Sequence, residues 1–219
     1  IRQFLSGLPA HHHNELFDCG DVACIEDELE SAQALLGDRV SQLLSMQVAP
    51  IILGGGHEIA WGSYLGLKKW LETQERMQAG NQAKKRKLLI LNLDAHFDLR
   101  SSRPASSGTP FDQIADDCLA SGRPLQYACW GVSRLSNTPA LFERAQHLQA
   151  DFIEDKDLQE RHLESALVRL RRLLEAADDV YLTIDIDVLP ASVAPGVSAP
   201  AAFGVPLAVV EAIAQTVKA

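Results

Sequence analysis

The sequence predicts an α/β fold built around a mostly parallel sheet, and two observations predict it. Short apolar runs alternate with longer segments of helical periodicity, and long irregular loops directly follow two of the runs. The runs Val48–Leu53, Leu88–Leu93, Tyr127–Val132, Phe152–Ile153 and Val180–Ile184 read as strands. Between them, 26–46 carries Leu29, Ala32, Leu36, Val40 and Leu43 at helical spacing. The stretch 158–174 repeats that pattern with Leu163, Leu167, Leu170 and Leu174, and Leu207, Val210, Ile213 and Val217 set out a further helical face. Strands separated by helices must be joined by crossovers, which makes them parallel. The loops 100–110 and 190–206 are rich in Ser, Pro and Gly and lie where open α/β sheets bind ligands, outside the carboxyl ends of strands.

With 219 residues, 47% hydrophobic and 22% charged, the chain predicts a single globular domain over 1–219, with no internal repeat, low-complexity tract or linker. It opens without methionine and stops inside a helical pattern, so it reads as a piece of a longer chain. The net charge of −9 argues against nucleic-acid and anionic-membrane surfaces and points to a small polar substrate. No stretch reaches the roughly 20 apolar residues of a membrane span, and no basic-then-apolar leader opens the chain, so a cytoplasmic protein is expected. Cys19, Cys24, Cys118 and Cys129 form no C-x-x-C pair and read as reduced, mostly packed thiols. His11-His12-His13 and the basic cluster Lys84-Lys85-Arg86-Lys87 read as solvated loops, His147 and His162 as surface or satisfied residues, and Trp61, Trp70 and Trp130 as core or interface.

The chemistry concentrates at three strand ends. Asp94, His96 and Asp98 follow the run Leu88–Leu93 two residues apart, on one face if extended. Two carboxylates at the end of a buried strand need a compensating positive charge, which a divalent ion supplies. Asp185 and Asp187 repeat the design after Val180–Ile184, and Gly54-Gly55-Gly56 let the backbone deliver His57 to the same crevice. Six ligands are too many for one ordinary ion, whereas four carboxylates offset two dications and two imidazoles complete the shells. A hard, thiol-free set suits Mn²⁺ better than structural Zn²⁺. Two such ions would activate a shared water at neutral pH, so the implied reaction is hydrolysis. Taken singly, the glycine-histidine turn has a plain reading as a strand-to-helix connection, and Asp185 with Asp187 as loop caps or one magnesium site.

Gly54-Gly55-Gly56-His57-Glu58, Asp94-Ala95-His96-Phe97-Asp98, Asp185-Ile186-Asp187-Val188-Leu189-Pro190 and Ala194–Pro200, in that order, resemble the arginase/agmatinase ureohydrolase family from about Gly54 through Pro200. The opening Ile1-Arg2-Gln3 is similar to its early helix. The resemblance implies a three-layer α/β/α sandwich, a homo-oligomer, and manganese-dependent hydrolysis of a guanidino or amidine C–N bond. It implies that His57, Asp94, Asp98 and Asp185 hold one ion and Asp94, His96, Asp185 and Asp187 the other. Asp98 would then pass a proton from the attacking hydroxide to the departing amine.

Departures narrow the branch. Ser107 stands where arginases carry a histidine before Gly-x-Pro, Leu99-Arg100 follow Asp98, and Leu189 occupies a position acidic in guanidino hydrolases. The segments 54–58, Ser106–Phe111 and Ser133–Thr138 look like the branch that hydrolyses N-formimidoyl-L-glutamate to L-glutamate and formamide in histidine degradation. A dicarboxylate calls for a cationic clamp, so Arg100, Arg103 and Arg134 are candidate substrate holders, each with a solvated loop arginine as the plain alternative. Three rival readings remain: an agmatinase or other guanidino hydrolase, a single-zinc deacetylase-like hydrolase, and a non-catalytic scaffold or regulatory member.

Overall fold

The computed structural model describes residues 16–26, 28–79 and 84–218; the expected early helix at Ile1-Arg2-Gln3 and the loop at His11-His12-His13 lie outside the described residues. Strands β1 (Leu88–Leu93), β2 (Leu125–Val132), β3 (Asp151–Glu154) and β4 (Asp179–Ile184) form one sheet in the order β3-β2-β1-β4, all pairs parallel. β1 is central and buried along its whole length, which is why its sequence is a continuous apolar run with no alternation.

Helices cover both faces of the sheet. Leu89, Leu91 and Leu93 pack on one side against α5 (Leu163–Glu175) through Ala166 and Leu170 and against α6 (Leu207–Lys218) through Val209, Val210 and Ile213. Leu88 and Ile90 face the other way, onto Ala60 and Tyr64 of α2 (Ile59–Ala79), Ile114 and Cys118 of α3 (Pro110–Ser121) and Ala145 of α4 (Pro139–His147). The expected three-layer α/β/α sandwich is the result. α1 (Leu29–Ser45) lies outside this, against α2, where Gly66 comes so close to the Gly37 carbonyl that a Cβ would collide with it. α3 and α4 both begin on a proline whose missing N–H costs a first turn nothing, and α3 ends on Gly122 in the left-handed region at φ 69°.

Several expectations are corrected. Val48–Leu53 is not a strand: Ile51 and Leu53 stand 76% and 57% exposed, and no described strand lies beside the run. A strand exists by virtue of its ladder, and among the described residues β4 pairs with β1 alone, its far edge open with Val180 and Ile184 partly exposed. The pattern 158–174 starts late, because 3-10 turns at Asp155–Asp157 and Glu160–His162 precede α5. Arg86 is no solvated loop residue: its Nε and Nη2 bond Asp179 at 2.7 and 2.9 Å. All four cysteines are free, but only Cys118 and Cys129 are packed, while Cys19 and Cys24 are exposed. Trp130 is fully buried, Trp61 stacks on Tyr64, His147 is exposed, and the His162 ring accepts from Arg161 at 3.2 Å. No described helix is long and apolar enough to cross a membrane.

At the amino-terminal end of β1 a buried ion pair ties three segments. Arg123 donates from Nη1 and Nη2 to the two Glu75 oxygens at 2.7 and 3.2 Å, and Glu75 also accepts from the Arg86 backbone N–H at 2.9 Å. The two side chains are only 1% and 8% exposed, so neither can be rehydrated if its partner is removed. Arg123→Met is expected to lower stability by about 3–5 kcal/mol in urea unfolding, and the double change Arg123→Met with Glu75→Leu to recover most of that loss. A single variant as stable as the wild type would remove the pair from the core's account.

Candidate metal centre

The site starts from register. Leu93 of β1 lies opposite both Trp130 of β2 and Ile184 of β4, so Asp94 and Asp185 leave adjacent strands side by side. The last ladder bonds run from Asp94 N–H to the Trp130 carbonyl at 3.1 Å and from Asp185 N–H to the Leu93 carbonyl at 2.9 Å. Gly131 near the end of β2 sits at φ 102°, and a Cβ there would run into the Val188 side chain of the turn after β4.

Past the strands neither segment stays extended, which corrects the expectation that alternation aligns the ligands on one face. Asp98 has φ 47°, a left-handed conformation that aspartate tolerates better than most residues. Ile186–Val188 wind into a 3-10 turn capped by Asp185, whose carboxylate accepts from the Asp187 N–H at 3.0 Å. Asp94 likewise accepts from the His96 N–H at 2.7 Å, and Asp187 from the Ala95 N–H at 3.2 Å. Turns, each closed by a carboxylate of the set, gather the groups.

His57 enters from the turn that opens α2 and is 6% exposed. Its Nε2 is 2.9 Å from the Thr183 hydroxyl, which aims Nδ1 at the carboxylates. That nitrogen lies 2.9 Å from Asp94 Oδ2, 3.1 Å from Asp98 Oδ2 and 3.6 Å from Asp185 Oδ2. It has no aligned hydrogen-bond partner despite its burial. Three oxygens crowding one nitrogen without a hydrogen-bond angle is the arrangement of groups that share a central cation, and a divalent metal fits it. On the other side, His96 Nδ1 is 2.9 Å from Asp187 Oδ2 and 3.5 Å from Asp94 Oδ1. Two sets could each hold an ion, His57 with Asp94 and Asp98, and Asp94 with His96 and Asp187, the ligand atoms of each set lying within 4.8 Å of one another. Asp94 belongs to both, and Asp185 borders the first.

Metal-free, the cluster is electrostatically loaded. Burial works against a charged His57, yet the adjacent Asp94 and Asp98 carboxylates push it up to about 10. Its neighbour His96 is pushed up to about 10 chiefly by Asp187 and Asp94. Burial would raise Asp94, but the two imidazoles hold it well below the usual carboxylate range. Burial and the Asp94 charge raise Asp98 to about 7, and burial raises Asp187 to about 6.

The structure thus brings His57, Asp94, His96, Asp98, Asp185 and Asp187 together, but not the three arginines. Arg100 is exposed, its side chain lying across Gly108, and it lines a cavity of about 730 Å³ with Asp112, Asp116, Thr138 and Arg144. In that cavity Arg144 is neutralised by Asp112 at 2.7 Å and Asp116 at 3.0 Å, while Arg100 has no carboxylate partner among the described residues. None of the six clustered groups lines the cavity. Arg103 donates to the Ser102 carbonyl at 3.2 Å. Arg134 forks onto Glu154 and stacks 4.7 Å above the Phe142 ring. Sequence reasoning gave no role to Thr183, Asn92, Tyr127 and Asn137, which hold the cluster; an asparagine inside the apolar run of β1 and the segment Ser133–Thr138 were the visible signals.

Metal ligands must be unprotonated, and the metal-free cluster holds protons on His57, His96 and, up to about pH 7, on Asp98. Protons and metal therefore compete, with the sign that Mn²⁺ affinity rises as pH rises. Calorimetric titrations from about pH 6 to 8, in buffers of different ionisation enthalpy, should show tightening affinity and proton release on binding. Affinity that ignores pH over this range would place the ion elsewhere.

The chain matches the Arginase family over residues 2–219. It is 57% identical over 214 residues to a formimidoylglutamase of Cupriavidus pinatubonensis, covering 98% of this chain and 65% of that protein. It is 55% identical to a formimidoylglutamase of Paraburkholderia xenovorans, over 100% of this chain and 68% of the relative. The chain thus spans about 65% of the first relative's length. Among solved structures, formimidoylglutamase from Bacillus subtilis superposes with a TM-score of 0.78 at 22% identity, over 96% of this chain and 65% of that one. Trypanosoma cruzi formiminoglutamase with Mn²⁺ superposes with a TM-score of 0.75 at 22% identity, over 97% and 69%. At such identities the superpositions speak for the fold, which is the three-layer sandwich described above. The sequence match over nearly every residue, together with the clustered carboxylates and imidazoles, carries the assignment: the chain belongs to the arginase family.

Proposed function

We propose that this chain is part of a dinuclear manganese hydrolase that cleaves a C–N bond of N-formimidoyl-L-glutamate to give L-glutamate and formamide, the reaction type of histidine degradation. The observation that carries the reading is the pair of ligand sets sharing Asp94 at the ends of β1 and β4. The names of relatives 57% and 55% identical support the substrate, and the Mn²⁺ in the Trypanosoma cruzi structure supports the metal. The same reading expects a cytoplasmic homo-oligomer acting on a small molecule, with neither nucleic acid nor membrane as partner.

His57, Asp94, Asp98 and Asp185 would hold one ion and Asp94, His96, Asp185 and Asp187 the other. When bound, two such ions lower the pKa of a water between them and polarise the substrate. Water adds to the amidine carbon, the bond to the glutamate nitrogen breaks, and that nitrogen leaves with a proton. Asp98 is the carboxylate assigned to carry this proton from the water to the amine. Thr183 holds the His57 ring, leaving Nδ1 for the ion.

For the substrate's carboxylates, Arg100, Arg103 and Arg134 are the proposed holders. Arg100 is favoured, because Arg134 is committed to Glu154 and Arg100 has no carboxylate partner among the described residues. In the full-length protein, Arg100→Ala is expected to raise KM for N-formimidoyl-L-glutamate by about 10- to 100-fold with kcat changed far less; an unchanged KM takes Arg100 out of the site.

The deciding assay uses the full-length protein with Mn²⁺, following glutamate release from N-formimidoyl-L-glutamate beside urea release from arginine and agmatine. Glutamate release alone is expected. Urea release alone would keep the metal centre and transfer the substrate to the guanidino hydrolases, and no turnover of any of the three would favour a non-catalytic member.

A further inference from the structure

Asp94, His96 and Asp98 sit in a segment with no regular secondary structure, and Asp98 is in the left-handed region. Something outside the segment must fix it. Its backbone groups can be followed one by one: the Asp94 N–H reaches the Trp130 carbonyl, the His96 carbonyl accepts from the Cys129 thiol at 3.2 Å, and the Phe97 carbonyl accepts from the Tyr127 hydroxyl at 2.7 Å. The Phe97 N–H and the Ala95 carbonyl, which bracket His96, both go to one side chain, Asn137.

Asn137 is 9% exposed. Its Oδ1 accepts from the Phe97 N–H at 3.0 Å, and its Nδ2 donates to the Ala95 carbonyl at 2.8 Å and the Ser133 carbonyl at 2.8 Å. The partners leave the amide one orientation, since a flipped group would set its oxygen against two carbonyls and its NH₂ against an N–H. Ser133 N–H adds a second bond to the Ala95 carbonyl at 2.9 Å. The turn after β2 is thereby locked to the ligand segment after β1.

We propose that Asn137 is a positioning residue for the metal centre: it fixes the backbone on either side of His96 and so sets the spacing of His96 and Asp98 before any ion binds. The inference rests on the proposed metal reading, and it goes beyond that reading by assigning preorganisation to a side chain that touches neither metal nor substrate. Its bonds are to backbone, so a shorter or differently shaped side chain cannot substitute for it.

Two measurements on the full-length protein test it. In metal-free wild type, hydrogen exchange should find the Phe97 amide already protected, with little further slowing when Mn²⁺ is added. An amide that exchanges freely until Mn²⁺ arrives would mean that the ion orders the segment, and the proposal fails without any variant. Electron paramagnetic titration of free Mn²⁺ should then show Asn137→Ala binding about 10- to 100-fold more weakly than wild type at a temperature where its metal-free circular dichroism is native. Asn137→Asp, which keeps the acceptor for Phe97 but faces two carbonyls with a carboxylate, should bind at least as weakly. Variants that unfold earlier yet bind Mn²⁺ as tightly as wild type would give Asn137 a structural role only. A wild type that binds no Mn²⁺ would overturn the metal reading itself, a result distinct from failure at Asn137 alone.

Discussion

The in-register parallel pairing of β1 with β4 is the constraint on which the site depends. With Leu93 opposite Ile184, the next residue of each strand is an aspartate, and two carboxylates emerge about one strand spacing apart, roughly 5 Å. Asp98 and Asp187 then turn back toward the same point, so four like charges converge where one of them, Asp94, is wholly buried. Such a cluster is stable only if positive charge is drawn into it. In the metal-free protein that charge is protons on His57 and His96. The sheet thus builds a place where cations of some kind must reside, and divalent ions satisfy the same demand while leaving both imidazoles neutral.

A second constraint follows from where the strands stop. Backbone beyond a strand end has no ladder, and at the heart of the molecule it has no water. Neighbouring side chains take the ladder's place: Asn137, Tyr127 and Cys129 serve Ala95, His96 and Phe97, while Asp94, Asp185 and Asp187 serve N–H groups within and between the two turns. The carboxylates accordingly do two jobs, each offering one oxygen to a backbone amide and its remaining lone pairs to the centre. An amide on a carboxylate oxygen orients the group and favours its charged form, both of which suit a metal ligand. The left-handed Asp98 can persist because the segment around it is held from several sides.

Much of this was legible in the sequence. β1 and β2 announced themselves because a strand covered by helices on both faces is apolar throughout, β4 because its inner residues are apolar even at a half-exposed edge, and the six clustered residues because charged residues directly after apolar runs have few structural uses. Val48–Leu53 has the same apolar composition and is no strand, since a ladder is a property of two segments and the run's own residues do not say whether a partner stands beside it. The spacing of Asp94, His96 and Asp98 suggested strand alternation, whereas turns gather them. Arg86 looked like part of a solvated basic cluster because its partner, Asp179, lies far along the chain. Asn137 stood in the segment Ser133–Thr138 that marks the branch, but its role was not readable, as side-chain bonds to distant backbone leave no periodic trace.

The proposed substrate holders differ in how the fold distributes arginine charge. Arg144 and Arg134 are each satisfied by carboxylates, and Arg144 spends its charge joining α4 to α3. Arg100 differs because its backbone N–H closes the 100–108 loop on the Gly108 carbonyl at 2.9 Å, which directs the side chain over a glycine and into an open cavity. Two residues earlier in the same loop stands Asp98, and the Phe111 N–H returns from the start of α3 to the Asp98 carbonyl at 3.3 Å. One loop therefore carries a ligand of the proposed metal centre at its root and an uncompensated cation on its flank. Under the proposed chemistry, an anion drawn to Arg100 would bear on the loop that holds Asp98.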